Sequence, residues 1–232
     1  MTSVALVIGG GSGMGADAAR RLAADGFEVG VMSSSGKGEA LGKELGGLGY
    51  TGSNLVPEEL QGFVDAAIEK WGRIDVLVNS AGHGPKGDLL EISDDDWHAG
   101  LDIFLMNVIR SARLVAPIMV AQKGGAIINI STFAALEPRL AFPVSNVFRA
   151  GLAAYTKLFS DRYGGDNIRM NNVLPGFIDT LPQPAERTAS VPLGRMGTAA
   201  EVSATISFLA SDGAAYITGQ NIRVDGGETR SV

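Results

Sequence analysis

The sequence predicts a single α/β domain in which about seven parallel strands form one doubly wound sheet with helices on both faces. Strand-length apolar runs alternate with helical patterns along the whole chain, which is typical of parallel strands joined by right-handed crossovers. Several of the runs are apolar nearly throughout, as in strands covered on both faces. The 232 residues suit one core of this kind and contain no linker-like segment, so we expect one domain over 1–232.

The strands are predicted from short apolar runs that end at glycines or polar turns. The weakest of them is the third, and the first, fourth and fifth are the most apolar. In chain order they lie near residues 3–8, 27–32, 48–52, 74–79, 126–131, 168–173 and 220–224.

The helices are predicted from helical spacing between these runs, and three of them carry start signals. Pro57 before two glutamates suits a first turn, because proline is preformed for it and carboxylates offset the helix dipole. Ser93 before three aspartates also marks a helix start, because serine caps the first turn and the aspartates offset the helix dipole. Thr198 with Glu201 has the spacing of a capping box. The predicted helices lie near 13–25, 37–46, 57–71, 93–122, 145–163 and 198–211. The irregular segment 178–197 is interpreted as a lid over a substrate site or an ordinary connection.

Composition excludes several classes of function. The absence of cysteine excludes disulfides, thiolate metal sites and cysteine nucleophiles. Nineteen basic against 25 acidic residues, a net charge of −6, argues against a nucleic-acid or anionic-membrane partner. The longest clean apolar stretch, 114–121, is far too short to span a membrane. The first residues lack the basic region of a signal peptide, and we expect a cytoplasmic protein.

A glycine-rich loop follows the first strand directly and opens a helix. Glycines allow a tight turn and a close backbone approach to a pyrophosphate, and the helix N-terminus supplies unpaired N–H groups. This strand–loop–helix context predicts dinucleotide binding on a Rossmann-type sheet, although a glycine turn that only packs has the same string. The loop residues expected to bind are Gly9, Gly11, Ser12, Gly13, Met14 and Gly15.

The end of the second strand favours NADP over NAD. A NAD site commonly offers a carboxylate to the ribose hydroxyls at this point. Here the chain has Ser33, Ser34 and Ser35, followed by Lys37, and no carboxylate. Hydroxyls and a lysine suit a 2′-phosphate, whereas a solvated serine turn is the alternative interpretation.

A series of motifs in order along the chain resembles the short-chain dehydrogenase/reductase family, which includes 3-oxoacyl-carrier-protein reductases. The motifs, in single letters, are GGGSGMG at 9–15, NSAG at 79–82, IINIST at 127–132, NNVLPG at 171–176, PLGR at 192–195, FLASD at 208–212 and ITGQ at 217–220 leading to VDGG at 224–227. The resemblance implies hydride transfer between a nicotinamide and a carbonyl or alcohol of a small-molecule substrate. It also implies a homo-oligomer, a tetramer or dimer, formed through helices 93–122 and 145–163. It also implies that further residues bind the nucleotide, namely Asn54, Leu55, Asn79, Ala81, Gly82, Arg149, Pro175, Gly176 and Ile178.

The family's Asn-Ser-Tyr-Lys tetrad is replaced at all four positions. Laid on the family pattern, the chain has Phe104 for asparagine, Thr132 for serine, Ser145 for tyrosine and Arg149 for lysine. Asn107 lies three residues after Phe104, but the positions of Pro117 and Met119 favour the frame chosen here.

The four replacements differ chemically. Thr132 retains a hydroxyl for a substrate oxygen, whereas Ser145 cannot replace a phenol as an acid. Arg149 stays cationic and cannot relay a proton, but its fork suits a ribose, a carboxylate or an oxyanion. We therefore expect catalytic roles for Thr132, Ser145 and Arg149, and a substrate with an anionic group would suit Arg149.

Few residues offer a substitute proton donor. His83 follows the 79–82 motif and is considered as a donor or as a loop contact. His98 is interpreted as a surface residue, Tyr155 as packing and Asp179 as a cap.

Three functions remain open. The first is an NADP(H)-dependent oxidoreductase with a remodelled site. The second is a nucleotide-binding protein without catalysis. The third is a non-redox enzyme on the same scaffold, similar to halohydrin dehalogenases, against which the intact glycine loop argues.

Overall fold

The computed structural model describes residues 2–180 and 186–232, and its centre is one parallel sheet. Seven strands within the described residues are ordered β3-β2-β1-β4-β5-β6-β7, and each neighbouring pair is parallel. This confirms the predicted fold class. The strands are β1 Val4–Ile8, β2 Glu28–Ser33, β3 Leu48–Thr51, β4 Val76–Ser80, β5 Gly125–Ile130, β6 Ile168–Pro175 and β7 Asn221–Val224.

The predicted helices begin and end close to their predicted positions, whereas the short helix α7 lies in the segment 178–197 that was predicted to be irregular. The Ser93 hydroxyl accepts from the backbone N–H of Asp96, and both hydrogen bonds of the Thr198–Glu201 capping box are present. The bounds are α1 Gly13–Ala24, α2 Gly36–Glu44, α3 Pro57–Trp71, α4 Asp94–Leu101, α5 Asn107–Gln122, α6 Pro143–Tyr163, α7 Glu186–Ala189 and α8 Ala199–Ala210.

Strand alternation divides the core into two layers. In β1, Ala5 and Val7 belong to the layer that contains α1 and α8, whereas Leu6 and Ile8 belong to the layer that contains α3 and α5. Successive strand side chains point to opposite faces, so an apolar strand such as β1 can bury both.

The predicted helix 93–122 is instead two α-helices joined by a π-helical turn. Residues 102–106 form the π turn, in which the Asn107 N–H donates to the Asp102 carbonyl five residues earlier. Such turns are rare and often lie at functional sites. By length and composition alone Asp94–Gln122 could cross a membrane, but its buried residues, including Val115 and Met119, pack on the sheet as core.

The strand order places a crevice at the carboxyl ends of β1 and β4. From β1 the chain adds β2 and β3 on one side, and it then crosses back to add β4 on the other side of β1. Ligands of open parallel sheets bind in the crevice at the carboxyl ends of the strands where the order reverses in this way. Ile8 pairs with Asn79 across the two strands, so the glycine loop and the 79–82 motif emerge side by side.

Candidate functional site

A cavity of about 610 Å³ occupies the crevice between β1, β2 and β4. Its walls combine the glycine loop, the serines after β2, the turn after β3 and the loop after β4. The predicted nucleotide residues that line it are Gly9, Gly11, Ser12, Gly13, Met14, Ser33, Ser34, Ser35, Asn54, Leu55, Ala81 and Gly82. We call this cavity the nucleotide cleft.

Glycine is required by space and backbone conformation in the loop. Gly9 has φ +72°, and a Cβ there would lie 2.3 Å from the Ser80 carbonyl oxygen. A Cβ on Gly15 would lie 2.5 Å from the Gly9 carbonyl oxygen. Both distances are far below van der Waals contact with rigid backbone, so side chains at these positions would disrupt the turn. Gly15 does not line the cleft but allows the loop to close on α1.

The serines after β2 form a turn that leads into α2. The Ser33 hydroxyl donates to the Ser35 carbonyl at 2.6 Å and accepts from the Gly38 N–H at 2.9 Å. Ser35 is the N-cap of α2, and its side chain makes no capping hydrogen bond. The cleft wall therefore presents hydroxyls beside a helix N-terminus, which favours an anion. Lys37 follows in the first turn of α2, is exposed and does not line the cleft.

A second cavity of about 240 Å³ adjoins the nucleotide cleft and contains the four residues that the sequence predicts at the tetrad positions. Phe104, Thr132, Ser145 and Arg149 all line it, together with Gly176 and Ile178. Met14, Gly82, His83 and Thr180 line both cavities, so the two share a wall. We call this second cavity the reaction pocket.

Arg149 is a buried cation without a carboxylate partner among the described residues. Its side chain is on α6 and the residue is 7% exposed. Nη1 donates to the Ile130 carbonyl at 2.7 Å, and the buried Nε has no hydrogen-bond partner. The guanidinium lies over the Phe104 ring, 4.8 Å from its centroid. Burial lowers the pKa of Arg149 to about 10, which leaves it charged at neutral pH.

The two hydroxyls of the reaction pocket differ in their surroundings. Thr132 Oγ1 accepts weakly from the Ala134 N–H at 3.4 Å, which leaves its own hydrogen available. Ser145 is in the first turn of α6, and its hydroxyl makes no hydrogen bond to the described residues. Both can donate to a substrate oxygen.

The four tyrosines of the chain lie outside both cavities. Tyr50 packs on Phe63, and Tyr155 and Tyr163 both contact Phe159 in the core. Tyr216 is fully exposed. Burial raises the pKa of Tyr155. The interpretation of Tyr155 as packing therefore agrees with its surroundings, and no tyrosine takes the place of the missing phenol.

Asn79 and its neighbours form a polar ladder across the sheet rather than a cavity wall. The Asn79 side chain donates to Asn129 at 3.0 Å, Asn129 to Asn172 at 2.9 Å and Asn172 to Asn221 at 2.8 Å. Asn79 is buried, and its oxygen accepts from the Ser111 hydroxyl. A satisfied buried network of this kind rigidifies the strands that carry the site.

The other residues that the sequence analysis named lie outside both cavities. Pro175 is buried at the end of β6 and lines neither cavity. Asn107 is buried, and its Oδ1 accepts from the Val108 N–H. His98 and Asp179 are exposed. Of the predicted lid 178–197, residues 181–185 lie outside the described residues.

Sequence reasoning missed the aromatic and basic lining of the reaction pocket. Besides Phe104, three further phenylalanines line it, and so does Lys86, whose Nζ lies 5.4 Å from the Phe142 ring centroid. The other two rings, Phe133 and Phe177, meet edge to face at 5.4 Å between centroids. They come from segments with no periodic pattern, so no sequence signal grouped them.

The parallel sheet, glycine loop and crevice define a nucleotide-binding α/β protein of the Rossmann type. Residues 9–229 match the family described as "Enoyl-(Acyl carrier protein) reductase". The chain belongs to the short-chain dehydrogenase/reductase family, a family of oxidoreductases. It is 35% identical to a 3-oxoacyl-(acyl-carrier-protein) reductase of Thermotoga maritima, over 97% of this chain and 96% of that one. The corresponding reductases of Synechocystis sp. and Staphylococcus aureus are 36% and 33% identical, with 97% and 98% of this chain covered and 96% and 98% of theirs.

Proposed function

We propose that this chain is an NADP(H)-dependent oxidoreductase that interconverts a carbonyl and an alcohol in a site with a replaced tetrad. The adjacency of the two cavities, which share four lining residues, supports this most strongly. One end is the glycine loop, and the other end presents two hydroxyls and a buried guanidinium. Family membership and the reductases among its relatives agree with an oxidoreductase.

The nucleotide cleft fits a dinucleotide because the glycines of its loop let the backbone come close to a pyrophosphate. The backbone of residues 9–15 would hold the pyrophosphate, and Asn54 and Leu55 the adenine side. Ser34 and Ser35, beside the N-terminus of α2, would hold a 2′-phosphate. When bound, the nicotinamide supplies a hydride donor or acceptor.

The residues of the reaction pocket bind and polarise the substrate oxygen. Thr132 and Ser145 donate hydrogen bonds to it, and Arg149 stabilises the negative charge that develops on it. Arg149 retains its own proton, so protonation of that oxygen falls to water or to His83, which lines both cavities. General acid help is commonly worth about 10²–10⁴ in rate, so we expect slower turnover than with a tyrosine.

A nucleotide-binding protein without catalysis is the second candidate, and the absence of a tyrosine from both cavities favours it. Titration of NADPH fluorescence and turnover on a panel of carbonyl compounds separate the two. Binding with NADPH consumption supports the oxidoreductase. Binding without turnover of any panel member supports the second candidate. Absence of binding contradicts both.

We extend the proposal to a cytoplasmic homo-oligomer, a tetramer or dimer, that uses the surface of α5 and α6. Val120 on α5 and Val147 and Leu158 on α6 are exposed apolar residues, and such patches commonly mark interfaces. Light scattering tests the assembly, and a monomer at micromolar concentration would refute it.

A further inference from the structure

The titratable side chains that line the reaction pocket are all basic. Its titratable lining residues are His83, Lys86 and Arg149, and no aspartate or glutamate lines it within the described residues. Arg149 is buried, whereas His83 and Lys86 are exposed. The only hydrogen bond of its guanidinium to the described residues goes to the Ile130 carbonyl, and its Nε is buried without a partner.

A buried cation without a counter-ion is costly to a fold, whereas a bound anion offsets that cost. The residues expected to hold the phosphates of the dinucleotide line the nucleotide cleft, which Arg149 does not line. The missing negative charge therefore belongs to a molecule that enters the reaction pocket itself.

The rest of the pocket sets the size and polarity of that molecule. The rings of Phe104, Phe133, Phe142 and Phe177 line it, and the volume of about 240 Å³ is small for a ligand site. The pocket therefore suits a compact apolar body that carries one anionic group.

We infer that the substrate pair is a small apolar oxo acid and its hydroxy acid, whose carboxylate is held by Arg149 and whose reacting oxygen is held by Thr132 and Ser145. This inference rests on the proposed function. In reduction the carbonyl carbon accepts a hydride and its oxygen accepts a proton, while NADPH becomes NADP⁺ and the carboxylate is unchanged. Arginine matches a carboxylate because its planar fork can donate two hydrogen bonds.

Calorimetry with benzoylformate and methyl benzoylformate tests this on the wild-type protein, with and without NADP⁺. The two probes differ in charge and share the ring and the ketone. We expect the acid to bind about 10- to 100-fold more tightly than the ester, the range of a charge-assisted pair. Equal binding, tighter binding of the ester, or no binding of either probe would overturn the inference.

Substitutions on α6 test whether Arg149 is the source of the preference for the acid. Arg149→Gln should abolish the preference for the acid, whereas Arg149→Lys should retain part of it. Lys157→Gln, which removes an exposed cation of the same helix, should leave it unchanged. An acid preference that persists in a folded Arg149→Gln protein would also overturn the inference.

The same probes distinguish failure of the inference from failure of the proposed function. If the acid binds selectively but is never reduced by NADPH, the carboxylate site stands and the oxidoreductase proposal falls. If the ester is reduced and the acid is not, the oxidoreductase proposal stands and the carboxylate site falls.

Discussion

The guanidinium of Arg149 lies 4.8 Å from the centroid of the Phe104 ring, so two of the residues that the sequence predicts at the tetrad positions are in direct contact. A cation over an aromatic face is stabilised by the ring quadrupole, most of all when it is desolvated. Phe104 lies in the π turn between α4 and α5, which places its ring under α6. Phe104 and Arg149 therefore form one structural unit, which holds a positive charge in the reaction pocket.

Restoring the tetrad should restore general ketone reduction. We expect Ser145→Tyr with Arg149→Lys to raise NADPH-dependent turnover, by at most about 10²–10⁴-fold, because a phenol beside a lysine can protonate the product oxygen. Adding Phe104→Asn should raise it further, since the ring that contacts residue 149 is removed. NADPH absorbance measures the rate. Lys43→Tyr, at an exposed position of α2 that lines neither cavity, is the control. No gain in a folded triple variant would show that pocket shape blocks the chemistry.

The glycine loop makes a specific prediction for cofactor affinity. A Cβ on Gly11 would lie 2.7 Å from the Ser33 hydroxyl, which itself holds the Ser35 carbonyl and the Gly38 N–H. We expect Gly11→Ala to weaken NADPH binding about tenfold, since displacing this hydroxyl costs about one hydrogen bond. Gly36→Ala, where a Cβ meets nothing within 4 Å, is the matched control. Equal affinities in fluorescence titration would contradict the assignment of the cleft.

Cofactor choice should respond to charge at the end of β2. Ser34→Asp places a carboxylate in the wall assigned to the 2′-phosphate. Repulsion between two anions near a protein surface is worth about 1–2 kcal/mol, so the preference for NADPH over NADH should fall about tenfold or more. Ser3→Asp adds the same charge before β1, away from the cleft, and should leave the ratio unchanged. A ratio that does not move in Ser34→Asp would mean that the phosphate lies elsewhere.

Replacing the buried cation should stabilise the fold while removing its function. Arg149→Met retains the length of the side chain and removes a charge whose pKa burial has lowered to about 10. We expect the free energy of unfolding to rise by about 1–3 kcal/mol, because an apolar residue of similar size avoids the desolvation cost. Urea unfolding measures this. A clear loss of stability would show that the hydrogen bond to the Ile130 carbonyl outweighs that cost.

The ion pair at the start of α8 predicts that the stability of the fold depends on pH in the acidic range. Hydrogen bonds from Arg195 and from the Thr198 N–H lower the pKa of Glu201 to about 2 from its ordinary 4.5. A carboxylate with a lowered folded-state pKa stabilises the fold above the unfolded-state pKa, and this contribution is lost as pH falls through the folded value. Wild type should therefore exceed Glu201→Gln in stability near neutrality, and the difference should shrink from about pH 4.5 towards about 2. A difference that is constant over this range would contradict the ion pair.

The fold was predictable because periodicity and start signals are local. The alternating runs gave the seven strands, and the signals at Pro57, Ser93 and Thr198 marked helix starts that the structure retains. The π turn was not predictable, because its apolar residues 103–106 continue the helical pattern on both sides. The packing of Arg149 on Phe104 depends on how α6 lies against that turn, a long-range contact that no local pattern specifies.

The nucleotide cleft was also more predictable than the reaction pocket. Residues 9–14 follow one strand and form one loop, so their sequence context predicts nucleotide binding. Lys86 and Phe142, by contrast, lie in irregular segments more than fifty residues apart and meet only in the folded chain. Gly15 and Asn79 were expected at the nucleotide and instead support the loop and the sheet behind it.

Titration of NADPH fluorescence with the purified wild-type protein tests the central claim most directly. We predict a saturable change that NADP⁺ reverses at lower concentration than NAD⁺, because the glycine loop and the serine turn remain intact beside a pocket without tyrosine. No saturable change, together with no heat from either oxidised coenzyme, would contradict it.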